Sequence, residues 1–303
     1  MKSIIGIIKI IRPLNLAIMA LTLVFLRFFY FETNLNISGI ELYSTNVQFT
    51  FMVLSVMLAA AAGYVINDFF DVEADLINKP EKVVVEKDLS KKKTLLLYGV
   101  LVLLSIGSVI ASVHSSILPV IITVFFNFVL FVYAVKLKSL PFIGNVAVAL
   151  IIAFVPAYAL LYDIPITLYN INPETYEGAS KELFQTRFNE FIFFFMEMAF
   201  FINLTREITK DIIDMDGDSS IKIKSLPIIL GVTKTTYLII GLLVVLTAVI
   251  WFNPIFDGRL LSKIYFIVGT FSMIIIAIIL LYKQKHKQAS LSLKIAMFIG
   301  LMY

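Results

Sequence analysis

Two short acidic segments repeat the same spacing inside a chain that is otherwise mostly apolar. The first segment covers residues 67–75 and the second covers 211–218, and each carries aspartates at positions i, i+3 and i+7. Of the 303 residues, 60% are hydrophobic and only 15% are charged, and the mean hydropathy is +0.94. This composition is more apolar than that of a soluble domain and predicts that lipid surrounds most of the chain.

Apolar runs long enough to cross a bilayer recur along the whole sequence. A membrane-spanning helix needs roughly 20 predominantly apolar residues, and nine segments meet or approach that length. We therefore predict an all-α, polytopic membrane protein with about nine transmembrane helices, built as a single domain over residues 1–303. The predicted spans are 14–31, 47–67, 94–113, 118–135, 140–161, 191–209, 226–252, 262–282 and 291–303.

The distribution of lysine and arginine predicts the orientation of the chain. Cytoplasmic loops of membrane proteins are enriched in these residues, and 20 of the 25 lie on the side that holds the amino terminus. The amino terminus is therefore predicted to lie in the cytoplasm, with the protein in the cell membrane. This asymmetry, with contact to anionic membrane lipids, explains the net charge of +4, so no nucleic-acid partner is predicted.

The spacing of the aspartates predicts a metal site. On an α-helix, positions i, i+3 and i+7 lie along one face over two turns, and a carboxylate inside a membrane helix costs roughly 2.5 to 3.5 kcal/mol on insertion scales. A bound cation offsets that cost, and oxygen ligands suit Mg²⁺, which completes its shell with water and phosphate oxygens. The predicted ligands are Asn67, Asp68, Asp71, Asp75, Asp211, Asp214 and Asp218.

Lysines follow each acidic segment at similar distances, Lys79 and Lys82 after the first and Lys222 and Lys224 after the second. Carboxylates that bring a metal, beside cations that hold phosphate, suit a diphosphate ligand. Solvated loop acids that repeat by chance are the simpler alternative, and the matching lysines disfavour it. A calcium-binding loop is disfavoured because its glycine should follow the third acid, whereas Gly217 precedes it.

At these residues the chain resembles the UbiA-type intramembrane prenyltransferases. Residues 67–75 are similar to the first signature of that family, NDxxDxxxD, and residues 211–218 are similar to the second, DxxDxxxD. The resemblance covers nearly the whole chain and includes residues 12–15, the pair Gly144-Asn145 and residues 206–211. It implies nine helices around a central cavity, with the two acidic segments facing each other and the mouth of the active site in the cytoplasm.

Residues 206–218, followed by 224–228, are most similar to the family branch that alkylates geranylgeranylglyceryl phosphate. One departure follows Asn78, where that branch often reads RPDRPIP. Here Lys82 occupies the second basic position, and lysine lacks the bidentate fork of arginine. Residues 162–190 form a longer and more polar stretch than the family usually has, and we predict an outer loop there.

The resemblance implies Mg²⁺-dependent transfer of a polyprenyl group, geranylgeranyl in this branch, from its diphosphate to an acceptor in the membrane. Two Mg²⁺ ions would stabilise the diphosphate as a leaving group. An aromatic ring stabilises an allylic cation by roughly 0.5 to 2 kcal/mol, and Tyr133 is the candidate. Arg12 and Asn15 lie where the first helix of the family approaches the acceptor, and Lys138 completes the predicted catalytic set. The predicted diphosphate contacts are Lys79, Lys82, Arg206, Lys210 and Lys222.

Three functions of different classes are compatible with the sequence. The leading one joins a polyprenyl diphosphate donor to the hydroxyl group of a prenylglyceryl phosphate, a lipid acceptor. The second prenylates an aromatic acceptor, as in quinone or haem side-chain synthesis. The third is an ion or phosphate transporter. It is disfavoured because transporters carry acids near the midplane of several helices, whereas these acids cluster at one face of the membrane.

Overall fold

Helices account for the secondary structure of this protein, as the apolar runs predict. The computed structural model describes residues 2–37, 40–113, 116–169, 178–220, 223–253 and 260–301. Over those ranges there is no β-strand, and one isolated bridge joins Val85 to Leu89. The all-α prediction is therefore confirmed. Lys222, a predicted diphosphate contact, lies outside the described residues.

The helices are numbered α1 to α15 along the chain. The amino-terminal ones are α1 (Lys2–Ile10), α2 (Pro13–Phe25), α3 (Glu32–Asn36), α4 (Asn46–Phe70), α5 (Val72–Asn78), α6 (Lys91–Ser112), α7 (Leu118–Val135) and α8 (Ile143–Tyr169). The others are α9 (Gly178–Ile213), α10 (Met215–Ser220), α11 (Leu226–Leu230), α12 (Val232–Phe252), α13 (Leu260–Phe266), α14 (Ser272–Tyr282) and α15 (His286–Leu301). Short π-helical turns join α2 to α3 at Leu26–Phe31 and α13 to α14 at Ile267–Phe271, and a 3₁₀ turn at Leu137–Ser139 precedes α8.

Seven helical stretches among the described residues are long and apolar enough to cross a membrane, and they match seven of the nine predicted spans. The protein is therefore an integral membrane protein. The predicted span 191–209 and the described part of 291–303 are also helical, within α9 and α15, although neither helix belongs to the seven. The seven stretches are Pro13–Asn36, Asn46–Phe70, Lys91–Ser112, Leu118–Val135, Ile143–Tyr169, Val232–Phe252 and Ile264–Tyr282.

The stretch 162–190 differs from the predicted loop wherever the structure describes it. Helix α8 continues to Tyr169, eight residues beyond the predicted end of its span, and α9 already begins at Gly178. The sequence is misleading here because Asp163 and Pro165 resemble loop residues while lying inside α8. The carboxylate of Asp163 is compatible with a membrane helix because it is paired.

Asp163 pairs with Arg27, which lies on the π-helical turn after α2. The two side chains are 0% and 2% exposed, and Nη1 of Arg27 lies 2.8 Å from Oδ2 of Asp163. Nη2 of Arg27 donates to the carbonyl oxygen of Ser44 at 2.7 Å, and the Ser44 hydroxyl donates to Asp163. The guanidinium also lies 4.5 Å from the centroid of the Phe49 ring. Because both charges are buried away from water, the loss of either one would leave the other buried without a counter-ion.

The chain forms two compact units. Residues 1–135 and 155–189 form the first, whereas 136–154 and 190–303 form the second. In the first unit, α1, α4, α6 and the loop after α5 contribute to one apolar core. Its buried members are Ile10, Leu16, Ala61, Ala62, Val65, Val84, Val85, Leu89 and Leu101.

The second unit contains closely packed helices of its own. Helix α9 packs against α15, where Nδ2 of Asn203 lies 3.6 Å from Sδ of Met297. A Cβ atom on Gly300 would lie 2.6 Å from Cε of Met198, so the two helices approach closely at that glycine. The first acidic segment belongs to the first unit and the second acidic segment to the second.

We predict that Asp163→Leu lowers the free energy of unfolding by about 3 kcal/mol, because Arg27 then remains buried without its counter-ion. The double variant Arg27→Met/Asp163→Leu removes both charges and is expected to recover most of that loss. Thermal unfolding of the purified protein in detergent measures both effects. A single variant as stable as the parent protein would contradict the importance of this ion pair.

Candidate active site

The first acidic segment lies where α4 ends and α5 begins. Asp71 is the residue between the two helices, with φ −93° and ψ 2°. The backbone spacing nevertheless persists across the break. The N–H of Asp71 donates to the carbonyl of Asn67 at 3.0 Å, and the N–H of Asp75 donates to the carbonyl of Asp71 at 2.9 Å.

The second segment has the same construction. Asp214 lies between the end of α9 and the start of α10. Its N–H donates to the carbonyl of Lys210 at 2.8 Å, and the N–H of Asp218 donates to the carbonyl of Asp214 at 3.1 Å. The regular helix is therefore interrupted at the middle aspartate of each segment, although the backbone bonds that span the interruption keep the helical spacing.

Side chains of the first unit hold the carboxylates of the first segment. Nη2 of Arg12 lies 2.6 Å from Oδ1 of Asp68, and the Arg12 guanidinium lies 4.7 Å from the centroid of the Tyr64 ring. Nδ2 of Asn67 donates to Oδ2 of Asp71 at 2.6 Å. Arg12, predicted near the acceptor, therefore contacts a predicted metal ligand. Asn67 orients Asp71 through its amide nitrogen.

In the second unit the corresponding partner is Asn145, near the start of α8. Its Nδ2 donates to Oδ2 of Asp211 at 2.9 Å, and Asn145 is 9% exposed. Asp211 lies beyond the predicted span 191–209. Burial raises the pKa of Asp211 to about 7, the hydrogen bond from Asn145 acts in the opposite direction, and the charges of Asp218, Glu207 and Asp214 raise it further. A carboxyl group in such surroundings is stabilised as an anion by a cation.

A close backbone approach positions Asn145. A Cβ atom on the preceding Gly144 would lie 2.8 Å from the carbonyl oxygen of Leu137 and 2.9 Å from Cα of Lys138. Glycine at this position therefore lets the 3₁₀ turn that carries Lys138 pack directly against the start of α8. In the sequence, the pair Gly144-Asn145 carries only a family resemblance, and the contact of Asn145 with Asp211 was not predicted. An amide in an otherwise apolar run was the available signal.

The remaining candidates of the first unit lie on or near the ends of its helices. The N–H of Asn15 donates to the carbonyl of Arg12 at 2.9 Å, and Lys79 ends α5 through a 2.8 Å bond to the carbonyl of Asp75. Lys82 is exposed, whereas Tyr133 is half-buried on α7. The structure therefore brings Arg12 to Asp68, and Asn15 follows Arg12 in the first turn of α2.

The candidates of the second unit follow one another along α9. Nη1 of Arg206 donates to Oδ1 of Asn203 at 3.4 Å, and Lys210 forms an ion pair with Glu207. Lys138 is half-buried on the turn before α8. Arg206 and Lys210 therefore lie within two turns of Asp211 on α9.

The donor atoms of both segments fit Mg²⁺. Within the part of the chain that the structure describes, no group of three or more His, Cys, Asp or Glu side chains is arranged to hold a metal ion by itself. Mg²⁺ does not require one, because it is usually bound by one or two carboxylates together with water and substrate phosphates. The amide oxygen of Asn67 and the buried Oδ1 of Asp214 are oxygen donors of the kind that Mg²⁺ accepts.

Comparison with known proteins decides the family. The UbiA prenyltransferase family matches residues 38–302, which is most of the chain. This chain belongs to the UbiA prenyltransferase family. It is therefore a membrane-embedded prenyltransferase, and the predicted resemblance is confirmed.

Two curated relatives of this UbiA prenyltransferase match over most of their length. Digeranylgeranylglyceryl phosphate synthase of Thermococcus kodakarensis is 31% identical over 253 residues, which cover 82% of this chain and 80% of the relative. The protein of the same name from Pyrococcus horikoshii is 33% identical over 250 residues, again 82% and 80% of the two chains.

Solved structures share the fold. One, from a study of digeranylgeranylglyceryl phosphate synthase in membranes, has a TM-score of 0.60 and 22% identity and covers 100% of this chain and 97% of the other. A UbiA homologue from Archaeoglobus fulgidus, solved with DMAPP and Mg²⁺, has a TM-score of 0.59 and 14% identity over 98% of each chain. These identities establish a common polytopic helical fold. The UbiA proteins therefore include one that was solved with a divalent metal and a prenyl diphosphate.

We predict that Asn145→Leu weakens Mg²⁺ affinity about 10- to 100-fold, because Asp211 loses the N–H group that fixes its orientation. Titration of activity with Mg²⁺, and binding of Mn²⁺ followed by electron paramagnetic resonance, both measure the effect. Asn127→Leu is the matched control. Asn127 is a buried asparagine on α7 that donates to the carbonyl of Thr123 and to Ser105. Equal metal affinities in the two variants would contradict the role of Asn145.

Proposed function

We propose that this protein transfers a geranylgeranyl group from its diphosphate to the hydroxyl group of a prenylglyceryl phosphate. The observation that carries the proposal is the shared construction of the two acidic segments, with the same aspartate spacing and the same break at the middle aspartate. Relatives named digeranylgeranylglyceryl phosphate synthase support a lipid acceptor, since they are about 30% identical over most of both chains.

The acidic segments are the proposed metal ligands, with one Mg²⁺ ion on each. When bound, the ions neutralise the diphosphate and stabilise it as a leaving group. The protein keeps the carboxylates oriented for this role, because Arg12 holds Asp68, Asn67 holds Asp71 and Asn145 holds Asp211. A UbiA homologue solved with DMAPP and Mg²⁺ supports the same combination of metal and donor. The proposed ligands are Asn67, Asp68, Asp71, Asp75, Asp211, Asp214 and Asp218.

The basic and aromatic candidates act on the substrates. The allylic C–O bond breaks, the diphosphate leaves with the electron pair, and the acceptor oxygen forms the new C–O bond and loses its proton. The ring of Tyr133 stabilises the allylic cation, and Asn15 and Lys138 border the reacting groups. Cationic side chains bind the diphosphate oxygens through charge-assisted hydrogen bonds. They are Lys79, Lys82, Arg206, Lys210 and Lys222.

The charge distribution supports a cytoplasmic amino terminus and a cytoplasmic mouth of the active site. Twenty of the 25 basic residues lie on that side, as do both acidic segments. The family match over residues 38–302 supports the proposal that residues 1–303 form one catalytic domain. Membrane lipids surround the apolar helices, and both substrates reach the site from the membrane.

We predict that Asp71→Ala and Asp218→Ala each abolish Mg²⁺-dependent release of diphosphate, because each removes a proposed metal ligand while leaving the apolar packing unchanged. Release of pyrophosphate by protein purified from membranes is the measurement. Glu81→Ala, which alters an exposed acid of the first unit, is expected to remain active. Full activity in both aspartate variants would disprove the proposed mechanism.

The acceptor is tested with purified protein, labelled geranylgeranyl diphosphate, and a panel of prenylglyceryl phosphates and aromatic acceptors. We expect labelled product only with the glyceryl phosphates. Thin-layer chromatography separates the possible products. Product on an aromatic ring alone would replace the proposed function with quinone or haem side-chain prenylation.

A further inference from the structure

Helices α9 and α15 run antiparallel in the second unit, and two contacts fix their register. Met198 lies opposite Gly300, and Asn203 lies opposite Met297. Residue numbers therefore rise along α9 as they fall along α15. The next turn in the same register places Arg206 beside Lys294.

The electrostatics of this pair agree with the register set by the two contacts. Arg206 acts electrostatically on Lys294, and both side chains are partly buried. Arg206 is held on this face, because its Nη1 donates to Oδ1 of Asn203 at 3.4 Å and Asn203 is 1% exposed. The next acid along α9, Glu207, forms an ion pair with Lys210. The second unit therefore contains two neighbouring cations, Arg206 and Lys294, where α9 packs against α15.

Arg206 and Lys294 each lie three residues inside a predicted span, 191–209 and 291–303. Lys294 lies eight residues after the start of α15, about 12 Å along the helix, and Arg206 lies five residues before Asp211, about 7.5 Å along α9. Basic residues inside a membrane helix are costly and mark functional sites by default. Two of them side by side also repel each other, and an anion bound between them removes the repulsion.

We propose that Arg206 and Lys294 together bind a phosphoryl group of a substrate. Guanidinium presents a planar fork of donors and ammonium a compact charge, a combination that suits phosphate oxygens. The inference rests on the proposed function, whose donor carries a diphosphate and whose acceptor carries a phosphate monoester. Lys294 thereby adds the last helix to the substrate-binding residues, which the sequence analysis placed on earlier helices.

Kinetics of Lys294→Met with each substrate varied in turn test the proposal. Loss of one charge-assisted contact is expected to raise the KM for the phosphoryl-bearing substrate about tenfold, with kcat changed much less. Lys294→Arg keeps the charge and is expected to restore KM. Lys287→Met is the matched control, because Lys287 lies two turns earlier on the same face of α15 and is exposed.

The two possible sources of the phosphoryl group give different results. A higher KM for geranylgeranyl diphosphate alone assigns the pair to the donor. A higher KM for geranylgeranylglyceryl phosphate, with no change for the unphosphorylated geranylgeranylglycerol, assigns it to the acceptor. Values for both substrates within twofold of those of Lys287→Met would overturn the proposal.

A binding measurement separates this inference from the proposed function. Thermal unfolding of the parent protein and of Lys294→Met, with Mg²⁺-pyrophosphate or with glycerol 1-phosphate, requires no turnover. Stabilisation of the parent protein by one of these probes, and its loss in Lys294→Met, supports the phosphoryl site even if the acceptor is not a glyceryl phosphate. Equal stabilisation of both proteins by both probes contradicts the site even if the proposed reaction occurs.

Discussion

The cost of a carboxylate where water is scarce governs both acidic segments. Each unit offsets this free-energy cost with a hydrogen-bond donor from another part of the same unit. Arg12 supplies a guanidinium to Asp68, and Asn145 supplies an amide N–H to Asp211. The two solutions differ in charge, since the first neutralises a carboxylate and the second only orients one. A bound cation therefore contributes more to the second segment, where burial already disfavours the ionised form of Asp211.

Much of the fold could be predicted because lipid imposes simple rules. Long apolar runs predicted the helical class, and seven of the nine predicted spans match helices that are long and apolar enough to cross a membrane. The aspartate spacing located the two acidic segments. The break at Asp71 and Asp214 could not be predicted in this way, since i, i+3, i+7 is also the pattern of a continuous helix. The backbone bonds across each break keep the helical spacing, so the sequence carries no sign of the interruption.

Polar residues that satisfy one another were the other source of error. Asp163 made its stretch resemble a loop. Its partner Arg27 makes the charge compatible with a membrane helix, but Arg27 lies 136 residues earlier in the chain. Asn145 was similarly unremarkable until its contact with Asp211 was known. Pairings between residues so far apart in the chain depend on tertiary structure. A hydropathy scale instead assigns each charged residue the full free-energy cost of an unpaired charge in the membrane. The spacing of residues along the sequence revealed only the site residues of the two repeated acidic segments.

The left-handed backbone of Arg12 links the amino-terminal helix to the first acidic segment. This residue, at φ 54°, lies between α1 and α2 while its side chain contacts Asp68. Helix α1 is itself confined, since a Cβ atom on Gly6 would lie 2.9 Å from Cβ of Asp88. Helix α1 is thus a structural part of the first unit, linked through Arg12 to the first acidic segment. An affinity tag or a truncation that shifts this helix would alter the surroundings of a proposed metal ligand.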